Sequence, residues 1–170
     1  MSWLCSAIVG FLVAVALILR ARGSRTAWDA LILEASSTGF FLIVSAVALT
    51  SPNSTLRHYS GAGSLAWLAL VAWITLAARK PLTLGIARQS TPAELWHQPR
   101  FLQVNMIITT VWATSFTLTA IVTALVYAAT TNSGIATIMQ VIGFVIPVVF
   151  TIRYSAHVRA SAAAEMSRPA

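Results

Sequence analysis

The stretch Thr91–Phe116, TPAELWHQPRFLQVNMIITTVWATSF, decides the fold. Thr91, Pro92 and Glu94 have the spacing of an N-cap, a proline at the first helical position and a glutamate that reaches back to the cap. The spacing predicts a short helix from Pro92 to about Gln98, ended by Pro99. Leu95 and Trp96 give it an apolar edge suited to a membrane surface. After Pro99 the character changes, and Phe101 to Ala129 holds no charged residue. At about 1.5 Å per residue that run measures roughly 43 Å, more than the ~30 Å hydrocarbon core of a bilayer. Such a helix belongs across a membrane, tilted or with a turn left in the interface.

Within it Asn105, Thr109, Trp112 and Phe116 are spaced four, three and four and share one face. Trp112 lies about 16 Å along from Phe101, near mid-bilayer, where its indole N–H needs an acceptor. Asn105 likewise has donors and an acceptor to satisfy. Hydrocarbon offers no partner, so the stripe is expected to face protein and to form the main packing seam of a helical bundle.

The run from the Arg79-Lys80-Pro81 turn through TPAELWHQPRF, then Asn105, Thr109, Trp112 and Phe116, resembles a group of small uncharacterised bacterial membrane proteins. It is also similar, more distantly, to the intracellular septation protein A family, whose members carry Pro and Trp and then an Asn and a Trp in the following helix. The resemblance covers about 40 of the 170 residues. It implies a bacterial inner-membrane protein associated with cell division and envelope integrity, and it brings no catalytic residues with it.

Composition agrees with an integral membrane protein. The chain is 58% hydrophobic and only 9% charged, where water-soluble domains carry about 25% charged residues. The net charge of +7 suits nucleic acid in principle, but the basic residues punctuate the apolar runs instead of gathering on one soluble face. They act better as topology signals and as contacts for anionic lipid headgroups. The single Cys5 excludes an internal disulfide and a cysteine-rich metal site.

The apolar runs predict an all-α bundle of five transmembrane helices, at about 2–19, 27–50, 61–78, 101–129 and 135–152, forming one domain over residues 1–170. The first run has no charge before it and arginines after it, the reverse of a signal peptide. On one side of the bundle fall Arg20, Arg22, Arg25, Arg79, Lys80, Arg88, Arg100, Arg153, Arg159 and Arg168; on the other falls Arg57 alone. That asymmetry predicts an external N-terminus and a cytoplasmic C-terminus, with the short amphipathic helix on the cytoplasmic side. Small residues in the third run, Gly61, Gly63, Ser64, Ala66, Ala69 and Ala72, suit close helix approach. Pro147 is expected to kink the fifth helix, where Gln140 is the one strong polar group.

Chemistry-bearing residues are few. His58, His97 and His157 fall in or near loops, where haem ligation in a bundle is not built. Lys80 lies at a membrane edge, and no phosphate loop, zinc motif or nucleophile elbow occurs. No enzyme, metal or cofactor is expected. Glu34 stands out, six residues and roughly 9 Å deeper than Trp28. Thr38 lies one turn farther on the same face, with Ser37 close by. A carboxylate at that depth is costly and must be paired, protonated or set in a wet crevice. It is either a proton- or cation-coupling site, or a buried ion pair or neutral carboxyl that fixes two helices. The expected function is a scaffold or partner in envelope or division machinery, contacting lipid headgroups, other membrane proteins or a second copy. The alternative is a small transporter or channel subunit using Glu34, the Ser36–Thr38 cluster, Asn105 and Gln140.

Overall fold

The computed structural model describes residues 32–50, 59–130 and 133–166, with isolated positions between 9 and 19. The described regular elements are helical: α1 (Ile32–Thr50), α2 (Ser60–Ala77), α3 (Leu84–Gln89), a single 3-10 turn (Ala93–Leu95), α4 (Pro99–Ala129) and α5 (Ser133–Met166). No strand occurs among the described residues. The described positions between 9 and 19 are helical too, and Gly10 sits under the Phe41 ring, where a Cβ would approach Cε1 to 2.6 Å.

Three helices are long and apolar enough to cross a membrane: α2, α4, and the Gly134–Ala162 part of α5. Their outward faces carry large apolar side chains such as Leu70, Ile74, Leu118, Leu125, Val141 and Ile152, all exposed. In water such a continuous apolar surface would be a liability. In α1 the apolar stretch Ser36–Thr50 is shorter.

α4 is the central element, packed along α2 on one side and α5 on another. Against α2, Leu65 and Ala69 meet Phe116 and Ala120, and lower down Ala72 and Leu76 meet Ala113. Alanine at these positions lets the backbones approach closely, which is where dispersion supplies cohesion in lipid. The small residues of α2 divide accordingly. Ala69 and Ala72 are buried in this contact, whereas Ala66 and Gly63 face outward and nothing lies within 4 Å of a Gly63 Cβ.

Pro147 lies inside α5, fully buried, and the helix continues through it. Proline has no N–H, so the carbonyl four residues back, that of Gly143, loses its helical donor. The donor comes from α4: Ser115 Oγ gives its hydrogen to Gly143 O at 2.6 Å. The approach is possible because Gly143 has no side chain; a Cβ there would collide with Thr119. Neighbouring hydroxyls supplying backbone groups freed by proline is how such residues are tolerated in membrane helices.

α2 stops by a backbone device. Arg79 N–H donates to Leu76 O and Lys80 N–H to Thr75 O, the paired bonds of a Schellman ending. Arg79 takes the left-handed conformation this needs (φ 55°), and Pro81 then bars any continuation.

Two expectations are corrected here. The helix expected over Pro92–Gln98 is only the 3-10 turn Ala93–Leu95, and its capping box does not form. Pro92 is extended (ψ 144°), and the Thr91 carbonyl instead accepts the Trp96 indole N–H at 2.9 Å. With Pro99 forcing Gln98 into extended backbone (ψ 132°), too few residues remain between the prolines to nucleate a helix. The short helix is α3, earlier in the chain, while Pro99 opens α4 as its first residue. The second correction is the end of α5, which runs to Met166 and not to residue 152. Residues 153–166 are rich in alanine and hold no proline or glycine to stop the helix.

The Ser115–Gly143 bond predicts a specific coupling. Ser115→Ala orphans a buried acceptor and should destabilise the bundle by about 1–2 kcal/mol in detergent melting. On a Pro147→Ala background the amide returns to Gly143, and the same Ser115→Ala change should then cost almost nothing. Additive losses in that double-mutant cycle would refute the assignment.

Candidate functional site

The stripe read from the sequence lies against protein. Asn105 and Thr109 are 2% and 0% exposed, Phe116 is buried, and Trp112 is half-buried. The Trp112 indole N–H donates to Thr151 Oγ1 at 3.1 Å, and that hydroxyl donates to Pro147 O at 2.7 Å. Phe116 and Phe144 pack against the indole at 5.3 and 5.1 Å between ring centroids. The lower half of the stripe meets a residue the sequence reading passed over, Thr83, just before α3.

Thr83 Oγ1 lies 3.1 Å from Asn105 Oδ1 and 2.9 Å from Thr109 Oγ1. One proton arrangement accounts for these contacts together. Thr83 donates to Asn105 Oδ1, Thr109 donates to Thr83, the Thr83 amide donates to Thr109 Oγ1 (3.4 Å), and Asn105 Nδ2 donates to Phe101 O (2.9 Å). This knot holds the segment after α2 against α4 and seats Pro81, Leu84 and Gly85 in buried positions. It also explains why Thr83, at the N-cap position of α3, makes no capping bond of its own.

Other polar groups are bound in the same manner. Trp73 donates to Thr117 Oγ1 (3.1 Å), and Trp67 donates to the carbonyl and hydroxyl of Ser36 on α1 (3.1 and 3.0 Å). Ser37 and Thr38 are half-buried and engaged. Glu34 lies on the helical backbone of α1, and its side chain falls outside the described residues. So do Trp28, Asp29 and His58. Two buried hydroxyls, of Ser45 and Thr123, have no partner among the described residues. Asn105 and Gln140 are not brought together. Gln140 lies by Gly61 and Tyr127 at the opposite end, and Tyr127 is roughly 33 Å along α4 from Asn105 by helix rise.

The remaining chemistry gathers at one end, where α2 finishes, α4 begins and α5 finishes. Every lysine and arginine among the described residues is there: Arg79, Lys80, Arg88, Arg100, Arg153 and Arg159. The Arg88 guanidinium stands 5.4 Å over the Trp96 ring, a cation–π contact that ties α3 to the 3-10 turn. Between the first turns of α4 and the last turns of α5 is a cavity of about 250 Å³, walled by Arg100, Gln103, Tyr154, His157 and Ser161 over Val104 and Val158. His97 and His157 are exposed, and no group of three metal-ligating side chains occurs among the described residues. Two larger clefts lie away from the basic end. One, of about 460 Å³, is lined by α1, α2 and α4; the other, of about 420 Å³, by α4 and α5. Both are apolar.

Removing the indole should therefore hurt more than removing either end of the knot. Asn105→Ala and Thr83→Val should each cost about 0.6 kcal/mol, the usual scale of interhelical hydrogen bonds in membranes. Trp112→Ala also leaves a cavity and should cost roughly 3 kcal/mol or more. Detergent melting of the variants checks the order, and a Trp112→Ala protein that melts like the parent would contradict it. Comparison with protein-family models, with curated proteins and with solved structures finds no match.

Proposed function

We propose that the protein is a non-enzymatic, multi-pass protein of a bacterial inner membrane, acting as a scaffold or partner in envelope or cell-division machinery. The arrangement the charge pattern favours is five crossings, with the N-terminus outside and the C-terminus in the cytoplasm. The resemblance of the Arg79–Phe116 region to septation proteins points the same way. The observation that carries the scaffold reading is how α4 uses its polar groups. Asn105, Thr109, Trp112, Ser115 and Thr117 each bond to a neighbouring element. A transport path needs such groups facing water or substrate at successive depths, whereas the two larger clefts have apolar walls. The natural partners are other membrane proteins or a second copy, with anionic headgroups at the basic end.

The rival is a small transporter or channel subunit in which Glu34, Ser37 and Thr38 couple a proton or cation. Glu34 decides between the two. In a deletion strain with an envelope or division defect, the scaffold reading expects Glu34→Gln to rescue as well as the parent at equal abundance. Loss of rescue, with loss of pH-driven ion flux in reconstituted vesicles, would favour the rival.

Topology has its own test. A C-terminal green fluorescent protein fusion should fluoresce and the matching alkaline phosphatase fusion should be inactive. The opposite pair of results would overturn the orientation.

A further inference from the structure

The basic cavity and the apolar cleft lie in line along the groove between α4 and α5. On α4 the walls fall at Arg100, Val104, Val111, Leu118 and Val122, spaced four, seven, seven and four, which keeps them on one face. That face is turned away from the one that Asn105, Thr109, Phe116 and Ala120 present to α2 and the knot. On α5 the walls descend through His157, Tyr154, Ile146, Gly143 and Met139, again at helical spacing. Phe150 lies between the cavity and the cleft and stacks on Tyr154 at 5.3 Å.

The two ends differ in chemistry. At the basic end a guanidinium, an amide, a phenol, an imidazole and a hydroxyl line the cavity. Arg100 lies next to Phe101, where the uncharged run begins, and Tyr154 lies two residues past Ile152, where the apolar part of α5 ends. The cavity therefore falls at the depth of lipid headgroups. Deeper in, the walls are mainly apolar, and three of the four hydroxyls that line them are already used: Thr110 donates to Met106 O, Ser115 to Gly143 O and Thr119 to Ser115 O.

We infer that this groove holds one phospholipid with an anionic headgroup, its phosphate among Arg100, Gln103, Tyr154 and His157 and an acyl chain lying toward Gly143. The charge at one end and the apolar walls at the other match the two halves of such a lipid. Basic pockets between helices at a membrane face are a known way of selecting acidic lipids. The inference rests on the bundle spanning a membrane and is independent of any role in division.

The test uses the full chain in neutral detergent, with lipid retention read by native mass spectrometry. The parent should keep phosphatidylglycerol in preference to phosphatidylcholine. Arg100→Gln and His157→Gln should each weaken retention about fivefold to tenfold. Arg159→Gln, which removes an equal charge from outside the cavity, should leave it unchanged. Leu118→Trp, which fills the groove from its exposed side, should weaken long-chain phosphatidylglycerol, with circular dichroism confirming that the helices persist.

Equal weakening by Arg159→Gln and Arg100→Gln would mean diffuse charge attraction and overturn the site. Full displacement of the lipid by glycerol 1-phosphate would mean a free phosphate-ester pocket and overturn it as well. Alkaline carbonate extraction separates the two layers of the argument. A parent chain released from membranes refutes the spanning reading itself, while one that stays but shows no lipid preference refutes only the groove.

Discussion

Pro147 deletes one N–H from the longest described helix, and the packing around Gly143 follows from where the freed carbonyl finds its donor. The hydroxyl of Ser115 must come within hydrogen-bond distance of a backbone, so α5 has to be bare at that level, which is what Gly143 provides. Once α4 and α5 are held there, Trp112 falls opposite Thr151, one turn beyond Pro147, and gains its acceptor. A proline usually counted as a defect is thus the reason two helices have a fixed register. Close backbone approach and a side-chain donor act together, and either alone would leave the carbonyl unsatisfied in a medium that offers no water.

The other fixed point is the knot of Thr83, Asn105 and Thr109. It decides the path of the chain after α2, because the Schellman ending at Arg79 turns the backbone and Pro81 prevents its return to helix. α3 and the 3-10 turn then lie beside the first turns of α4, steadied by Arg88 over Trp96. The result is an end of the bundle where charge, aromatic rings and a cavity come together, while the interior farther along is given over mainly to alanine, phenylalanine and hydroxyls. A scaffold can be built from such a division of labour, and so can a lipid-selective surface.

Much of this was legible in the sequence where a single strong constraint acted. Uncharged runs marked α2 and α4 to within about two residues, the scale on which helix ends are defined. The spacing of Asn105, Thr109, Trp112 and Phe116 marked a shared face, because the helical period is rigid. The failures came where local signals competed. Thr91, Pro92 and Glu94 match a capping box, but Pro99 leaves the segment too short, and Trp96 claims the Thr91 carbonyl. Thr83 was missed because nothing local marks a threonine in a connecting loop as one whose hydroxyl is needed by residues more than twenty positions away. Ser115 was equally silent. Only the offset of four between Gly143 and Pro147 hinted that a donor was wanted, and the donor's position on α4 depends on the register of two helices.

The knot also sets a length. It brings the residues just past α2 level with Asn105 and Thr109, so that about ten residues of α4, roughly 15 Å, lie beyond the end of α2. α2 itself has 18 residues, about 27 Å of helix, and it cannot grow because Arg79 and Pro81 close it. The longer helices have turns to spare at their ends; α2 has none. In a membrane, the thickness the bundle prefers is then that of α2, the shortest of the three described helices long enough to cross. A thicker sheet would have to thin around α2, at a cost of fractions of a kcal/mol for each ångström of mismatch. Small as that is per ångström, it is the kind of bias by which a protein collects in one region of membrane over another.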